Sequence, residues 1–182
     1  GLNQDMPLAK TYEIYEMWCF MMIVKGLRKR GMLVDTSNLF KNKIEGLFLT
    51  LGENKSGKVK IINGGSLTYQ RVFQINTSPY YTYTQKMIPD IVLEINGRLI
   101  VFDPKYRTEE NLYNALAEMH KYRDGIIRKS DDKKVVEETY ILAPNGMANS
   151  TENKDIFSEE YHKQHKMGAF SFKPAMAQEN SF

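Results

Sequence analysis

An Asn-Gly pair between two β-prone runs constrains this chain more than any other feature. The stretch Ile88–Arg107, I-P-D-I-V-L-E-I-N-G-R-L-I-V-F-D-P-K-Y-R, sets Asn96-Gly97 between segments rich in Ile, Val, Leu and Phe. A type I′ turn needs positive φ at both central residues, and Asn and Gly accept it most readily, so the stretch reads as a two-residue hairpin. With Asn96 and Gly97 as the loop, Ile95 faces Arg98 and Glu94 faces Leu99. Counting outward sets Asp90 directly opposite Asp103. Strand residues two apart share a face, so Lys105 projects on the same side as Asp103.

Opposed side chains in an antiparallel pair lie roughly 5 Å apart at Cβ, and like charges placed there repel. Two facing carboxylates therefore call for compensation. A divalent cation suits them, and an all-oxygen site suits Mg2+ or Mn2+. Lys105 would then position a water or steady a phosphate as a point charge.

Pro89-Asp90 followed by Asp103-Pro104-Lys105 resembles the PD-(D/E)XK nuclease signature. Further blocks narrow the likeness. Y-E-I-Y-E-M-W-C-F at Tyr12–Phe20, D-P-K-Y-R at Asp103–Arg107, M-H-K-Y-R-D-G-I at Met119–Ile126, Y-I-L-A-P at Tyr140–Pro144 and M-G-A-F at Met167–Phe170 are similar to the nuclease domain of McrC-like restriction proteins. The resemblance implies a restriction-endonuclease-like α/β/α sandwich, with a mixed sheet flanked by helices and an antiparallel meander before the hairpin. It implies a Mg2+- or Mn2+-dependent endonuclease acting on DNA, the cleavage domain of a restriction or phage-defence system. A separate nucleotide-hydrolysing motor would be its partner.

On this resemblance Asp90 and Asp103 are metal ligands, the Pro104 carbonyl is an extra one, and Lys105 orients the water. Glu16 matches the glutamate that such enzymes bring from their first helix. Pro104 departs from the small or branched apolar residue usual at its position. Lacking an N–H, it demands an edge, a bulge or a strand end. Arg107, Tyr122 and Arg123 are candidate DNA contacts. Two other readings stand beside this one. The chain is then a catalytically silent nuclease-like module that binds nucleic acid or a partner, or a nuclease for branched DNA or RNA.

At 182 residues the chain is expected to form a single domain, 1–182, cut from a longer protein. A formal charge of +3 permits nucleic acid without arguing for it. The lone Cys19 excludes a disulfide framework and fits a reducing cytoplasm. The apolar run at Met17–Val24 is too short to span a bilayer. Oligomeric state is left open, a dimer included.

Leu8 to about Arg30 reads as a first helix, with Glu16 stacked among Tyr12, Cys19, Phe20 and Ile23. Leu47–Leu51, Lys58–Ile62, Thr68–Ile75 and Tyr80–Gln85 read as strands. Gly52–Val59, G-E-N-K-S-G-K-V, imitates a phosphate-binding loop, but Val59 stands where Ser or Thr must hold Mg2+, and strand rather than helix follows. Thr108 to about Lys129 reads as a second long helix with a core stripe of Leu112, Ala115, Leu116, Met119, Tyr122 and Ile126. Glu137–Ala143 reads as a buried strand and Asn145–Glu159 as a polar loop. His162 and His165 are expected on a solvated helix face, and Gly168–Lys173 is expected to form a last strand.

Overall fold

The computed structural model describes residues 8–35, 41–42, 49–50, 57–106, 112–144 and 155–173. The first helix, α1 (Leu8–Lys29), carries Arg28 and Lys29 in its last turn, where cations favour the helix dipole. It ends as a Schellman turn. Gly31 takes φ 67°, its N–H bonds the Arg28 carbonyl at 2.9 Å, and the Met32 N–H bonds the Leu27 carbonyl at 3.0 Å.

Strands β1 (Leu33–Asp35), β2 (Lys41–Asn42), β3 (Leu49–Thr50), β4 (Lys58–Ile61), β5 (Ser66–Tyr69) and β6 (Tyr80–Thr82) follow. The hairpin is β7 (Ile91–Ile95) and β8 (Arg98–Pro104). Then come α2 (Leu112–Glu118), α3 (His120–Gly125), β9 (Ile126–Arg128), β10 (Val136–Ala143), α4 (Glu159–His165) and β11 (Met167–Ser171). Among the described residues the main sheet has the order β1-β4-β5-β7-β8-β10-β11. It is antiparallel as far as β8, while β10 runs parallel to both β8 and β11. The expected meander and the parallel pairing after the hairpin are both present.

Alternation along the strands splits the core in two. Ile91 and Leu93 of β7 join Val59, Ile61, Leu67 and Leu142 beneath Tyr15, Cys19, Phe20, Val24 and Leu27 of α1. Val92 of β7, with Leu99 and Val101 of β8, packs on the other face against Leu112, Ala115, Leu116, Met119 and Tyr122. Two apolar layers on one sheet make the restriction-endonuclease-like α/β/α arrangement. Ile95 pairs with Arg98 and Ile91 with Phe102, with Asn96 at φ 52° and Gly97 at φ 72°, so the hairpin has the register counted from its turn.

Four expectations need correction. The second long helix breaks at Met119 and ends at Gly125. Ile126–Arg128 leave it to pair antiparallel with Tyr80–Thr82, because β-branched Ile126 and Ile127 suit a half-buried strand better than a helix end. The strand expected over Thr68–Ile75 stops at Tyr69, where Gln70 turns to φ 51°. The loop expected to reach Glu159 has already become a 3-10 turn at Asp155–Phe157, whose Ile156 is fully buried. His162 is buried rather than solvated. Its ring meets Tyr140 and Phe170 edge-on, with Nε2 2.8 Å from the Ile156 carbonyl. Thr108, Glu109, Glu110 and most of the phosphate-loop imitation lie outside the described residues, but Lys58–Ile61 continue from it as strand.

Candidate active site

The site forms where β7 and β8 outrun one another. Pairing ends with Ile91 opposite Phe102, so Asp90 and Asp103 are the next rung, just past the ladder. The Asp90 main chain is pinned from the neighbouring strand, with the Gln70 N–H donating to its carbonyl at 2.6 Å. Asp103 is buried, whereas Asp90 is partly open. The carboxyls meet as the register requires. Asp90 is held well above the ordinary carboxylate range by burial, then by the charges of Asp103 and Glu16, and by a hydrogen bond with Asp103. Burial and the charges of Asp103 and Glu16 thus favour the protonated form of Asp90.

Lys105 Nζ lies 2.8 Å from Asp103 Oδ2, on the shared face that strand alternation demands. Pro104 resolves the pairing question that its missing N–H raises. It is the last residue of β8, beyond the rung where β7 stops, so no ladder bond is lost on that side. The Lys105 N–H bonds the Leu142 carbonyl of β10 at 2.8 Å. A trans peptide points its C=O opposite to its N–H. The Pro104 carbonyl is thereby turned away from β10, toward the side where Asp90 follows the end of β7.

Glu16 stands on α1 at the same end of the sheet, half-buried, and accepts a hydrogen bond from the Tyr69 hydroxyl at 3.3 Å. Burial raises its pKa against the opposing pull of Tyr69 and Lys105, and Asp103 raises it further. The three carboxylates and one ammonium thus feel one another. Among the described residues, however, no three His, Cys, Asp or Glu side chains converge closely enough to form a ready metal cluster. Asp90 and Asp103 form a pair, and Glu16 couples to it through charge.

Tyr122 is buried beside that pair. Its hydroxyl is made less acidic by burial and by the charges of Asp103 and Asp90, and Lys121 Nζ lies 4.9 Å from the centre of its ring. Arg123 reaches toward α4, donating to the His165 carbonyl at 3.1 Å. Arg107 lies outside the described residues. Arg71 is paired with Glu94 at the turn end of the hairpin.

Sequence reasoning missed Tyr69 and Gln70. Tyr69 pairs with Ile91, which sets both residues beside Asp90. Only the β5–β7 register reveals this, and no local motif carries it.

A family model described as the PD-(D/E)XK nuclease superfamily matches residues 13–147, which contain Glu16, Asp90, Asp103 and Lys105. With that match over well more than half of its length, the chain belongs to the PD-(D/E)XK nuclease superfamily. No curated protein and no solved structure matched it. Among the described residues no helix is long and apolar enough to cross a membrane.

Proposed function

We propose that this chain is a metal-dependent endonuclease that hydrolyses DNA phosphodiester bonds. The observation that carries the proposal is the opposed Asp90–Asp103 pair with Lys105 ion-paired at its edge. The fit to a divalent cation rests on the donor set. Two carboxyl groups in contact, beside a main-chain carbonyl turned to their side, offer the hard oxygens that Mg2+ or Mn2+ prefers. Asp90, Asp103 and the Pro104 carbonyl would hold the ion, with Glu16 as the carboxylate of a second position. When bound, the ion supplies Lewis acidity toward a phosphoryl oxygen.

The chain's own groups do the remaining work. Lys105, fixed by Asp103, keeps a positive charge where negative charge grows on the phosphate, and it orients the attacking water. Asp90 gives up its proton when a cation takes its place, so cation binding strengthens as pH rises. Tyr69 holds Glu16 in one orientation, and Tyr122 closes the floor beside the pair.

We read the chain as one domain, 1–182, of an McrC-like restriction or phage-defence nuclease in the cytoplasm, driven by a nucleotide-hydrolysing partner. The blocks at Tyr12–Phe20, Asp103–Arg107 and Met119–Ile126 support that finer placement. A second reading, a nuclease-like module that binds without cutting, is favoured by the lack, among the described residues, of a ready cluster of three ligating side chains.

Calorimetric titration with Mn2+ of the wild type and of Asp103→Asn separates the two readings. Saturable binding that the substitution abolishes supports the nuclease, and cleavage with Mg2+ or Mn2+ is the next assay. Absence of specific binding, with DNA present or without it, rejects the metal mechanism. Duplex, branched and single-stranded probes compared across salt concentrations then define the substrate.

A further inference from the structure

One ring next to the site is braced from behind yet left open. Tyr106 follows Lys105 directly and is 44% exposed. It is far from loose. Tyr12 meets it edge-on at 6.2 Å and 73°, and Tyr15 lies 5.5 Å away, tilted by 58°. Behind them Tyr15 stacks on Trp18 at 5.9 Å, and Trp18 meets Phe172 at 5.3 Å. The Tyr15 hydroxyl locks the row by donating to the Phe172 carbonyl at 2.8 Å. This aromatic row ties the end of β8 to α1 and to the segment after β11. Tyr12 also lies one helical turn from Glu16, on the same face of α1.

Neither neighbour lies parallel to the Tyr106 ring, so among the described residues no side chain stacks on it face to face. Tyr106 is braced by two rings, exposed on its outer side and one residue from the lysine assigned to the phosphate. Adjacent residues lie ~3.8 Å apart at Cα, less than the span of one nucleotide. Rigid aromatic faces bind unpaired bases of any identity, since every base has a π-face.

We propose that Tyr106, buttressed by Tyr12 and Tyr15, stacks on an unpaired nucleobase flanking the phosphate held at Lys105. The inference rests on the nuclease reading and sharpens it, because a base can reach the ring only from single-stranded, frayed or branched DNA. Tyr106 is then a positioning residue that selects strands with an unpaired base at the cleavage point.

The test uses single-stranded DNA oligonucleotides carrying 2-aminopurine at successive positions, with Ca2+ in place of Mg2+ to suppress cleavage. The wild type is expected to quench the probe at one position. Tyr106→Leu, which keeps apolar packing without a π-face, is expected to lose that quenching and about 5- to 100-fold in affinity. Tyr106→Phe and Tyr106→Trp should restore both, and melting curves of all variants show whether the row still packs. If Tyr106→Leu binds and quenches like the wild type, the stacking role is wrong while the nuclease reading stands. If the wild type binds no DNA in any form, both fall together.

Discussion

The two ends of one hairpin show how differently the same kind of group can be used. At the turn end, Glu94 accepts from Arg71 at 2.8 Å and from the Tyr80 hydroxyl at 2.8 Å. Arg71 lies over the rings of Phe73 and Tyr80, with its guanidinium 5.0 and 5.1 Å from their centres. Arg128 reaches the Gly97 carbonyl at 3.0 Å and Asp131 at 3.2 Å. Each carboxylate there has its cation and each cation its acceptor. At the open end, among the described residues, Asp90, Asp103 and Glu16 face one ammonium, that of Lys105. The turn end is closed electrostatically and serves the fold. Among the described residues the other holds more carboxylate than cation, and such an excess persists where a ligand is meant to complete it.

Substitutions should separate the ends cleanly. Asp103→Asn and Lys105→Ala are expected to lower kcat/KM for DNA cleavage by about 100-fold or more, since they remove charge aimed at the phosphate. Glu94→Gln should leave cleavage nearly unchanged. Arg71→Ala should do the reverse of the active-site variants. It strips Glu94 of a charged partner, at a cost of about 2 kcal/mol, and lowers the melting temperature by about 4–8 °C. Comparable cleavage by Asp103→Asn and wild type, or an unchanged melting curve for Arg71→Ala, would erase the distinction. The turn between the ends offers a smaller effect. Gly97 sits at φ 72°, where a Cβ is strained, so Gly97→Ala should lose about 1–2 kcal/mol in denaturant titrations.

The hairpin and its carboxylates were legible because they are local. A type I′ turn admits few residue pairs, and once Asn96-Gly97 is the loop, period-two alternation carries the register outward to Asp90 and Asp103 without outside information. The sandwich was legible through the resemblance of Pro89-Asp90 and Asp103-Pro104-Lys105 to the PD-(D/E)XK signature, which implies that fold. Failures arose where tertiary contacts decide between two workable local states. Leu112 to Ile126 keeps a helical stripe, yet Ile126–Arg128 find a strand partner in Tyr80–Thr82 that local spacing cannot announce. His162 reads as solvated on its own helix and is buried only because Tyr140 and Phe170 of the sheet close over it. Tyr69 reaches the site through a register with Ile91 that is invisible until the sheet is assembled.

The excess charge at the open end also has a thermodynamic signature. Asp90 is held above the ordinary carboxylate range by burial first, then by Asp103 and Glu16. The folded chain therefore binds this proton more tightly than the unfolded chain does. Stability from that proton is fully present below the unfolded value, near ~3.9, and is lost as pH rises through the higher folded value. Asp90→Asn cannot ionise and escapes the loss. Without divalent ions it should match the wild type near pH ~4 and exceed it at neutral pH by on the order of 1 kcal/mol. Thermal melts across that range, with and without Mn2+, read the effect directly. Mn2+ should narrow the gap by raising the wild type alone, because only the wild type offers the paired carboxylates. A gap that stays flat with pH would mean that the open end carries no uncompensated charge, and the two ends of the hairpin would then be built alike.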